Sequence, residues 1–413
     1  MGLKILKSDF YMLNKTFEKV NDPSGGANQS RVRDYNERLV LSLVRRHGYL
    51  AKSQIARRSG LSAQTVSVIM RSLENDGLLL RGKPQRGQVG QPSIPMSLNP
   101  NGVFSFGLKI GRRSADLVLV DFLGQELGSI SKIFDYPIPS EVIVFVETGI
   151  AFLREKLSPS QQKRIAGLGV SIPSELWNWA EKINAPQDIM NVWKNNDFHS
   201  KLETISSLPV SMQNDATAAC GAELVFGHGK ELADFVYFFI GTFIGGGVVL
   251  NHGLYSGRTG NAGAIGPMPV INSEGETTTL IDHASIYTLE MRMKAKGFTL
   301  SHQWSEDEDW DSIGPILDEW IEDTARHLAW AIVASSSIID FQAAVIDGAF
   351  PSNIRQKIVD TIRLEIQKLD TRGISQISIL QGKVGRGARA LGGASLPLFS
   401  LYLLDQNVLF KGV

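Results

Sequence analysis

Ala63, Gln64, Thr65, Ser67 and Arg71 fall on one side of a helical repeat whose other side is Val66, Ile69, Met70 and Leu73. Small polar groups at the start of a helix, with an arginine further along, are what base edges in the major groove of DNA require. Ser62 stands just before them and is a capping residue type. Gly60 permits a tight turn back to a shorter repeat, Lys52–Ser59, in which Ile55 and Ala56 face inward and Lys52 is free to meet a phosphate. Residues 49–75 therefore read as a helix-turn-helix.

Neighbouring segments supply what such a reader needs. Arg33–Arg46 carries Leu39, Val40, Leu43 and Val44 at helical spacing, with Asp34 as its capping candidate and His47-Gly48 as its stop. Leu78–Arg81 and Ile94–Leu98 predict a small β-hairpin. Its long connection, rich in glycine and basic residues, brings Lys83, Arg86 and Gln91 toward the DNA backbone or minor groove as a wing. The competing reading is a helical dimerisation module with solvated arginines.

Charge separates this module from the rest. The 413-residue chain is formally neutral, yet residues 31–100 hold 12 Lys and Arg against 4 acids. The remainder holds 30 basic against 38 acidic residues. A basic module on an acidic body expects a polyanion partner for the module alone. A composition of 43% apolar and 20% charged residues is that of an ordinary globular protein of two or three domains. A single cysteine, Cys220, excludes a disulfide within the chain and a cysteine-rich zinc site. With no apolar run of 18 residues and a polar N-terminus, a cytoplasmic protein with no membrane contact is expected.

The acidic body begins with Phe104–Ile110, Ala115–Asp121 and Gln125–Ile130, three runs broken at Gly111 and Gly124 that predict consecutive antiparallel strands. Helical stretches are expected at Ser140–Lys156, near Trp193–Leu202 and around Ile313–Ile339, and a strand at Ile165–Ser171. Val210–Phe226 joins a strand to a helix. Phe235–Ile240 and Gly246–Leu250 predict a hairpin. Strands Ala343–Asp347 and Ile377–Leu380 precede a glycine-rich stretch, Gly382–Gly393, and a last helix. Three antiparallel strands followed by βα units, twice over, is a ribonuclease-H-like pattern.

From RDYNERLVLSLVRRHGYLAKSQIARRSGLSAQTVSVIMRSLENDGLL through GQPSIPMSLNP into this body, the chain resembles the repressor branch of the ROK family of repressors, open reading frames and sugar kinases. The resemblance covers about residues 30–413. It implies an α/β, actin-like (ribonuclease-H-like) two-lobed sugar-kinase fold preceded by an α+β winged helix-turn-helix domain. The expected division is a lead-in segment 1–30, a DNA-binding domain 31–100 and a kinase-like effector and oligomerisation domain 101–413.

In that family, nucleotide phosphates lie on glycine turns between the lobes, because only glycine lets backbone N–H groups approach so closely. The first turn, like DIGGTK in the family, reads Lys109-Ile110-Gly111-Arg112-Arg113-Ser114 here. Its acid is a lysine, and arginines replace a glycine and a threonine, which argues against Mg·ATP chemistry. The second turn, Gly241-Thr242-Phe243-Ile244-Gly245-Gly246-Gly247, is better kept but has Phe243 in place of a glycine. The resemblance makes Asn214-Asp215 the sugar-holding pair, with Asp215 at the general-base position. The alternative for Asp215 is a structural helix cap. GxAGEIGH becomes Gly260-Asn261-Ala262-Gly263-Ala264-Ile265-Gly266-Pro267, so a sugar-binding Glu and a zinc-binding His are lost, and the cysteine zinc segment has no counterpart. By the resemblance a second sugar-binding Glu falls near Ile281, where Asp282 and His283 are nearby substitutes, and Asp282, Ser171 and Glu175 complete the ligand-binding set expected beside Asn214 and Asp215. Trp177 and Trp179 are read as sugar platforms or as lobe-interface residues.

These readings expect no enzyme activity, metal or cofactor. They expect a repressor that binds a two-fold DNA operator as a homodimer or homotetramer, with a sugar-like effector between the lobes changing their angle. Two alternatives stay open: a sugar kinase with an added DNA reader, and an oligomeric scaffold controlled by a protein partner.

Overall fold

The computed structural model describes residues 29–84, 94–194, 197–298 and 310–404. The first helix, Gln29–His47, begins earlier than the periodicity predicts. Asp34 lies inside it and cannot cap it, because a cap needs a residue outside the helical backbone. Gly48, at φ 75°, ends the helix. Helices Lys52–Ser59 and Ala63–Asn75 follow, joined through Gly60 at φ 71°. Leu79–Arg81 pairs antiparallel with Pro95–Leu98, which also pairs with Leu50–Ala51, a third strand not foreseen from the sequence.

The module shares its core with the body. Val40, Val44, Ile55, Val66, Met70 and Leu79 bury against one another and against Phe122, Ala166, Val225 and Leu398. Polar contacts reinforce the seam. Arg45, half-buried in the seam, donates from Nη1 to the Phe122 carbonyl at 2.9 Å and lies 5.0 Å from the Phe226 ring centroid. Burial lowers its guanidinium to about 10. Arg164 donates to the carbonyls of Asp76 and Gly102. Arg38 donates to the Ser400 carbonyl at 2.8 Å, and the Leu404 N–H donates to Ser42 Oγ at 2.8 Å.

The body is built on two five-stranded sheets. The first orders Glu126–Ile133, Ser114–Asp121, Phe104–Ile110, Ile165–Ile172 and Val210–Asn214, with three strands antiparallel and the last two parallel. The second orders Gly253–Tyr255, Ile244–Leu250, Phe235–Ile240, Ala343–Gly348 and Ser378–Gln381, with the same change from antiparallel to parallel pairing. Helices Pro139–Arg154 and Asp197–Ser206 cover the outer face of the first sheet. Gly314–Ser336 and Ser352–Ile366 cover that of the second.

Between the sheets lie two helices, Asp215–Phe226 and Ala388–Leu401. They run side by side in the same direction. Arg389 meets Asp215, Gly392 meets Ala218, and Ser395 is the nearest neighbour of Gly221. Glycine makes this layering possible. A Cβ on Gly169 would sit 1.8 Å from the Gly393 carbonyl oxygen, one on Gly107 2.1 Å from that of Ala390, and one on Gly392 2.0 Å from that of Ala218. No real side chain tolerates such contacts.

Gly392→Ala should therefore lower the midpoint of denaturant unfolding by the cost of an overpacked core, about 1–3 kcal/mol or more. Gly387→Ala, where the nearest atom to a new Cβ is 3.6 Å away, should be close to neutral and serves as the control. Equal effects at the two positions would contradict the packing argument.

Candidate functional site

The candidate DNA-facing surface is assembled by the helix Ala63–Asn75. Ser62 Oγ accepts the Thr65 N–H at 3.0 Å and lies 2.8 Å from Thr65 Oγ1, so the cap is made by the residues expected to make it. Val66, Ile69, Met70 and Leu73 are buried. Ala63, Gln64 and Arg71 are exposed, Ser67 is half-buried, and Lys52 Nζ donates to Ser67 Oγ at 3.1 Å. Thr65 is half-buried and held by the cap rather than projected outward. Val68, 60% exposed on the same side, was not singled out from the sequence. An exposed branched apolar group is suited to a thymine methyl. Arg57 and Arg58 are also exposed on the preceding helix. Lys83 is exposed at the base of the wing, while Arg86 and Gln91 lie outside the described residues.

Part of the basic excess does other work. Arg45 and Arg38 dock the module, Arg33 pairs with Glu37, and Arg81 pairs with Glu74. Lys52, Arg57, Arg58, Arg71 and Lys83 remain for a polyanion.

The cleft between the lobes departs further from a phosphate site. Lys109 is buried beneath the first turn, with Nζ 2.5 Å from Ser114 Oγ and 2.7 Å from Asp116 Oδ2. Burial and the Arg389 charge lower its ammonium to about 8, against the pull of Asp116. The turn itself closes through the Gly111 N–H, which donates to the Ser114 carbonyl at 2.8 Å. Arg112 is 8% exposed, with its guanidinium carbon 4.8 Å from the Trp179 ring centroid and 4.6 Å from that of Phe243. Those rings stack on each other at 4.2 Å across the two lobes, Tyr287 stands 5.4 Å from Phe243, and Lys182 Nζ lies within 5.8 Å of all three rings. Trp179 is thus a lobe-interface residue, and Trp177 packs on the core of the first lobe.

The second turn keeps its glycines for packing. A Cβ on Gly245 would meet Ala216 at 2.6 Å, one on Gly246 the Tyr237 carbonyl at 2.4 Å, and one on Gly247 Cys220 at 2.4 Å. The carbonyls of Gly241 and Thr242 accept from the N–H groups of Ile286 and Tyr287, the start of the helix Ile286–Ala295.

Asn214 and Asp215 stand together at the start of the helix Asp215–Phe226. Asn214 Oδ1 accepts the N–H groups of Ala216 and Thr217, and its Nδ2 donates to Ser174 Oγ at 3.0 Å. Asp215 Oδ2 pairs with Arg389 Nη1 at 3.3 Å. Arg389, also lying over the Phe239 ring at 5.0 Å, was missed from the sequence. A basic residue just past the Gly382–Gly387 stretch was the available signal.

Three of the five expected ligand residues are not brought into a shared polar set. Ser171 is fully buried and its hydroxyl points at the Leu108 carbonyl, because it sits on a central strand. Glu175, held at φ 48°, is exposed and accepts from Asn178 Nδ2. Asp282 is exposed and accepts from Thr279 Oγ1.

Two buried acids fix the glycine-rich turn that precedes the last helix. Glu223 accepts the N–H groups of Lys383 and Val384, and Asp347 accepts that of Gly385 and the Tyr237 hydroxyl. Burial pushes both carboxyls up.

One group among the described residues has metal-type donors: His283, Asp323 and His327, with ligand atoms within 4.8 Å of one another. The two imidazoles stack in near-parallel planes 3.7 Å apart, and Arg292 Nη2 holds Asp323 Oδ2 at 2.6 Å. Parallel rings put their lone pairs side by side instead of converging on one ion. Burial alone would raise the Asp323 carboxyl; the hydrogen bonds of His283 and His327 and the Arg292 charge hold it well below the ordinary range. This cluster reads as an ion-pair network.

Comparison with known proteins agrees with both halves. Residues 105–398 match the ROK family and residues 33–79 match winged helix-turn-helix DNA-binding proteins. An uncharacterised protein, y4fQ, of Sinorhizobium fredii is 24% identical over 89% of this chain and 91% of its own length. The DNA-binding transcriptional dual regulator NagC of Escherichia coli is 23% identical over 79% of this chain and 84% of its own. The xylose repressor of Bacillus subtilis is 22% identical over 59% of this chain and 62% of its own. A ROK family transcriptional regulator, described as a homologue of the E. coli MLC protein, superposes with a TM-score of 0.65 at 20% identity. It covers 92% of this chain and 100% of its own. A glucokinase of Streptomyces griseus does so with a TM-score of 0.55, covering 71% and 98%. The chain belongs to the ROK family, in the group that carries a winged helix-turn-helix ahead of a kinase-like body.

Proposed function

We propose that this protein is a transcriptional repressor that reads a two-fold operator through Gln64, Ser67, Val68 and Arg71, and that a small sugar-like ligand in the interlobe cleft sets its affinity for DNA. The reading is supported by relatives that are named as repressors and by a first turn whose acid has become Lys109. It is carried by one structural observation. The two parallel helices begin in the cleft at the Asp215–Arg389 pair and end on the DNA-binding module, where Phe226 meets Arg45 and Ser400 meets Arg38. Each spans roughly 20 Å, at about 1.5 Å per residue. A shift at one end is delivered to the other through contacts that leave no slack. Coupling of about 1–3 kcal/mol is enough for regulation.

A second reading has its own support. Trp179, Phe243 and Arg112 fill the space between the lobes, as expected of a scaffold that takes its signal from a protein partner. Two open cavities, of about 530 and 640 Å³, lie beside the helix Ser352–Ile366.

Selection from genomic fragments followed by fluorescence anisotropy tests the DNA reading. Gln64→Ala and Arg71→Ala should each lower affinity for the selected site about 5- to 150-fold and relax preference at one base pair. Lys83→Ala should weaken binding to all sequences alike and reduce the salt slope by about one. A wild-type protein without sequence preference would refute the proposal.

Xylose, N-acetylglucosamine and glucose at millimolar concentration should then be titrated into the protein–operator complex. If one of them changes wild-type affinity, Arg389→Met should keep DNA binding and lose the response. A response that survives intact in Arg389→Met would show that the paired helices do not carry the signal. No response to any of them, with a partner protein changing affinity instead, would favour the scaffold reading.

A further inference from the structure

The cleft holds a buried cation that forms no ion pair among the described residues and is drawn only from a distance by Asp215. Arg112 is more than nine-tenths buried, its Nε has no hydrogen-bond partner, and no carboxylate is within ion-pairing reach of it among the described residues. A guanidinium taken from water is costly unless its donors are met. Its aromatic neighbours return only part of that cost, since a cation over an aromatic face gives about 0.5–2 kcal/mol. Around it stand Lys109 and Arg389, the latter with its own Nε unpartnered, and Lys182 reaches over the same rings. The acids close to these groups are Asp116, engaged by Lys109, and Asp215, engaged by Arg389. Of the cleft cations Lys109, Arg112 and Arg389, the first and last each have a carboxylate partner, and Arg112 has none among the described residues.

From this we infer that the cleft takes a small polyhydroxylated ligand bearing an oxyanion, carboxylate or phosphate, and that Arg112 is its anchor. This rests on the effector reading above and narrows it from a neutral sugar to an anionic one. Guanidinium donors form a planar fork that meets two oxygens of such a group at once. Arg112 leaves Trp179 and Phe243 to reach the anion, which opens the aromatic seam between the lobes. Asn214 and Asp215, at the head of the helix leading to the DNA-binding module, are placed to meet hydroxyls. The changes in the first turn become consistent. A turn that handles phosphates with a metal uses an acid, whereas one that neutralises an anion with the protein alone uses Lys109 and Arg112.

The test is a thermal-shift series on the full-length protein at constant ionic strength. It compares glucose with gluconate, glucuronate and glucose 6-phosphate, and adds inorganic phosphate and sulfate. The expected result is a rise in melting temperature with a carboxylated or phosphorylated sugar and none with glucose; the carboxylate and phosphate arms identify which oxyanion is used. In Arg112→Gln that ligand should bind about 10- to 150-fold more weakly, the effect of losing a charged hydrogen-bond donor. Arg112→Lys should retain part of the affinity. Trp fluorescence of the wild-type protein provides a readout that does not depend on the variants folding, since withdrawal of Arg112 from Trp179 changes the indole environment. Glucose binding as tightly as its anionic counterparts would overturn the proposal. So would undiminished binding by Arg112→Gln, or equal shifts with inorganic phosphate and sugar phosphate, which would mark an adventitious ion only. Operator binding measured on the same samples separates the two claims. Anion binding that leaves DNA affinity unchanged keeps the site and removes the regulator reading. Intact, specific DNA binding with no anion bound does the reverse.

Discussion

Backbone-to-backbone contact across the middle of the molecule is the constraint on which the rest depends. Gly107 and Gly169 on the first sheet admit the helix Ala388–Leu401, Gly392 on that helix admits Asp215–Phe226, and Gly245 and Gly247 admit that helix onto the second sheet. At each step a single methyl group would collide with a main-chain or Cβ atom. Layers in such contact cannot slide independently, since close-packed interiors shift between discrete arrangements instead of deforming smoothly. The DNA-binding module is drawn into the same body by sharing its core with Phe122, Val225 and Leu398.

Within that frame the cleft is lined by cations and aromatic rings. Lys109 occupies the place of an acid and is neutralised by Asp116. Phe243 stands in a glycine turn and finds Trp179 from the other lobe. The seam that results is held by rings and cations, interactions worth little individually and broken without unfolding anything. Asp215 stands beside Asn214 and pairs with Arg389, which ties the heads of the two central helices together. A site with this arrangement is suited to changing shape.

Much of this was legible in the chain. The helix-turn-helix followed from Gly60, Ser62 and the Val66–Leu73 spacing, because local capping and periodicity decide such segments. Phe104–Ile110 was placed to the residue by its alternation and Phe235–Ile240 by its continuous apolar run. Short elements escaped. Leu50–Ala51 and the hairpin Pro269–Ile271 with Thr277–Thr279 have too few residues to show a period. The helix Ser352–Ile366 was passed over although Ile354, Ile358, Val359 and Ile362 carry the helical spacing. Side-chain direction within the expected ligand set was not legible. Ser171 stands in register with Gln213, one residue before the pair, yet its hydroxyl turns into the sheet, while Glu175 turns into solvent. The docking role of Arg45 and the pairing role of Arg389 were not read, because their partners lie far along the chain and the glycine-rich stretch before Arg389 was the one local sign.

The unequal tolerance of these layers also bears on how the protein can acquire new responses. Substitutions along the paired helices meet glycine contacts with no room to yield, so variation there is removed by loss of folding. The first turn at 111–114, the segment 174–182 and Phe243 border the cleft on loops, where a changed side chain alters what is recognised and leaves the route to the DNA-binding module intact. Ligand preference can therefore drift among descendants of this chain while the linkage to the operator is inherited unchanged.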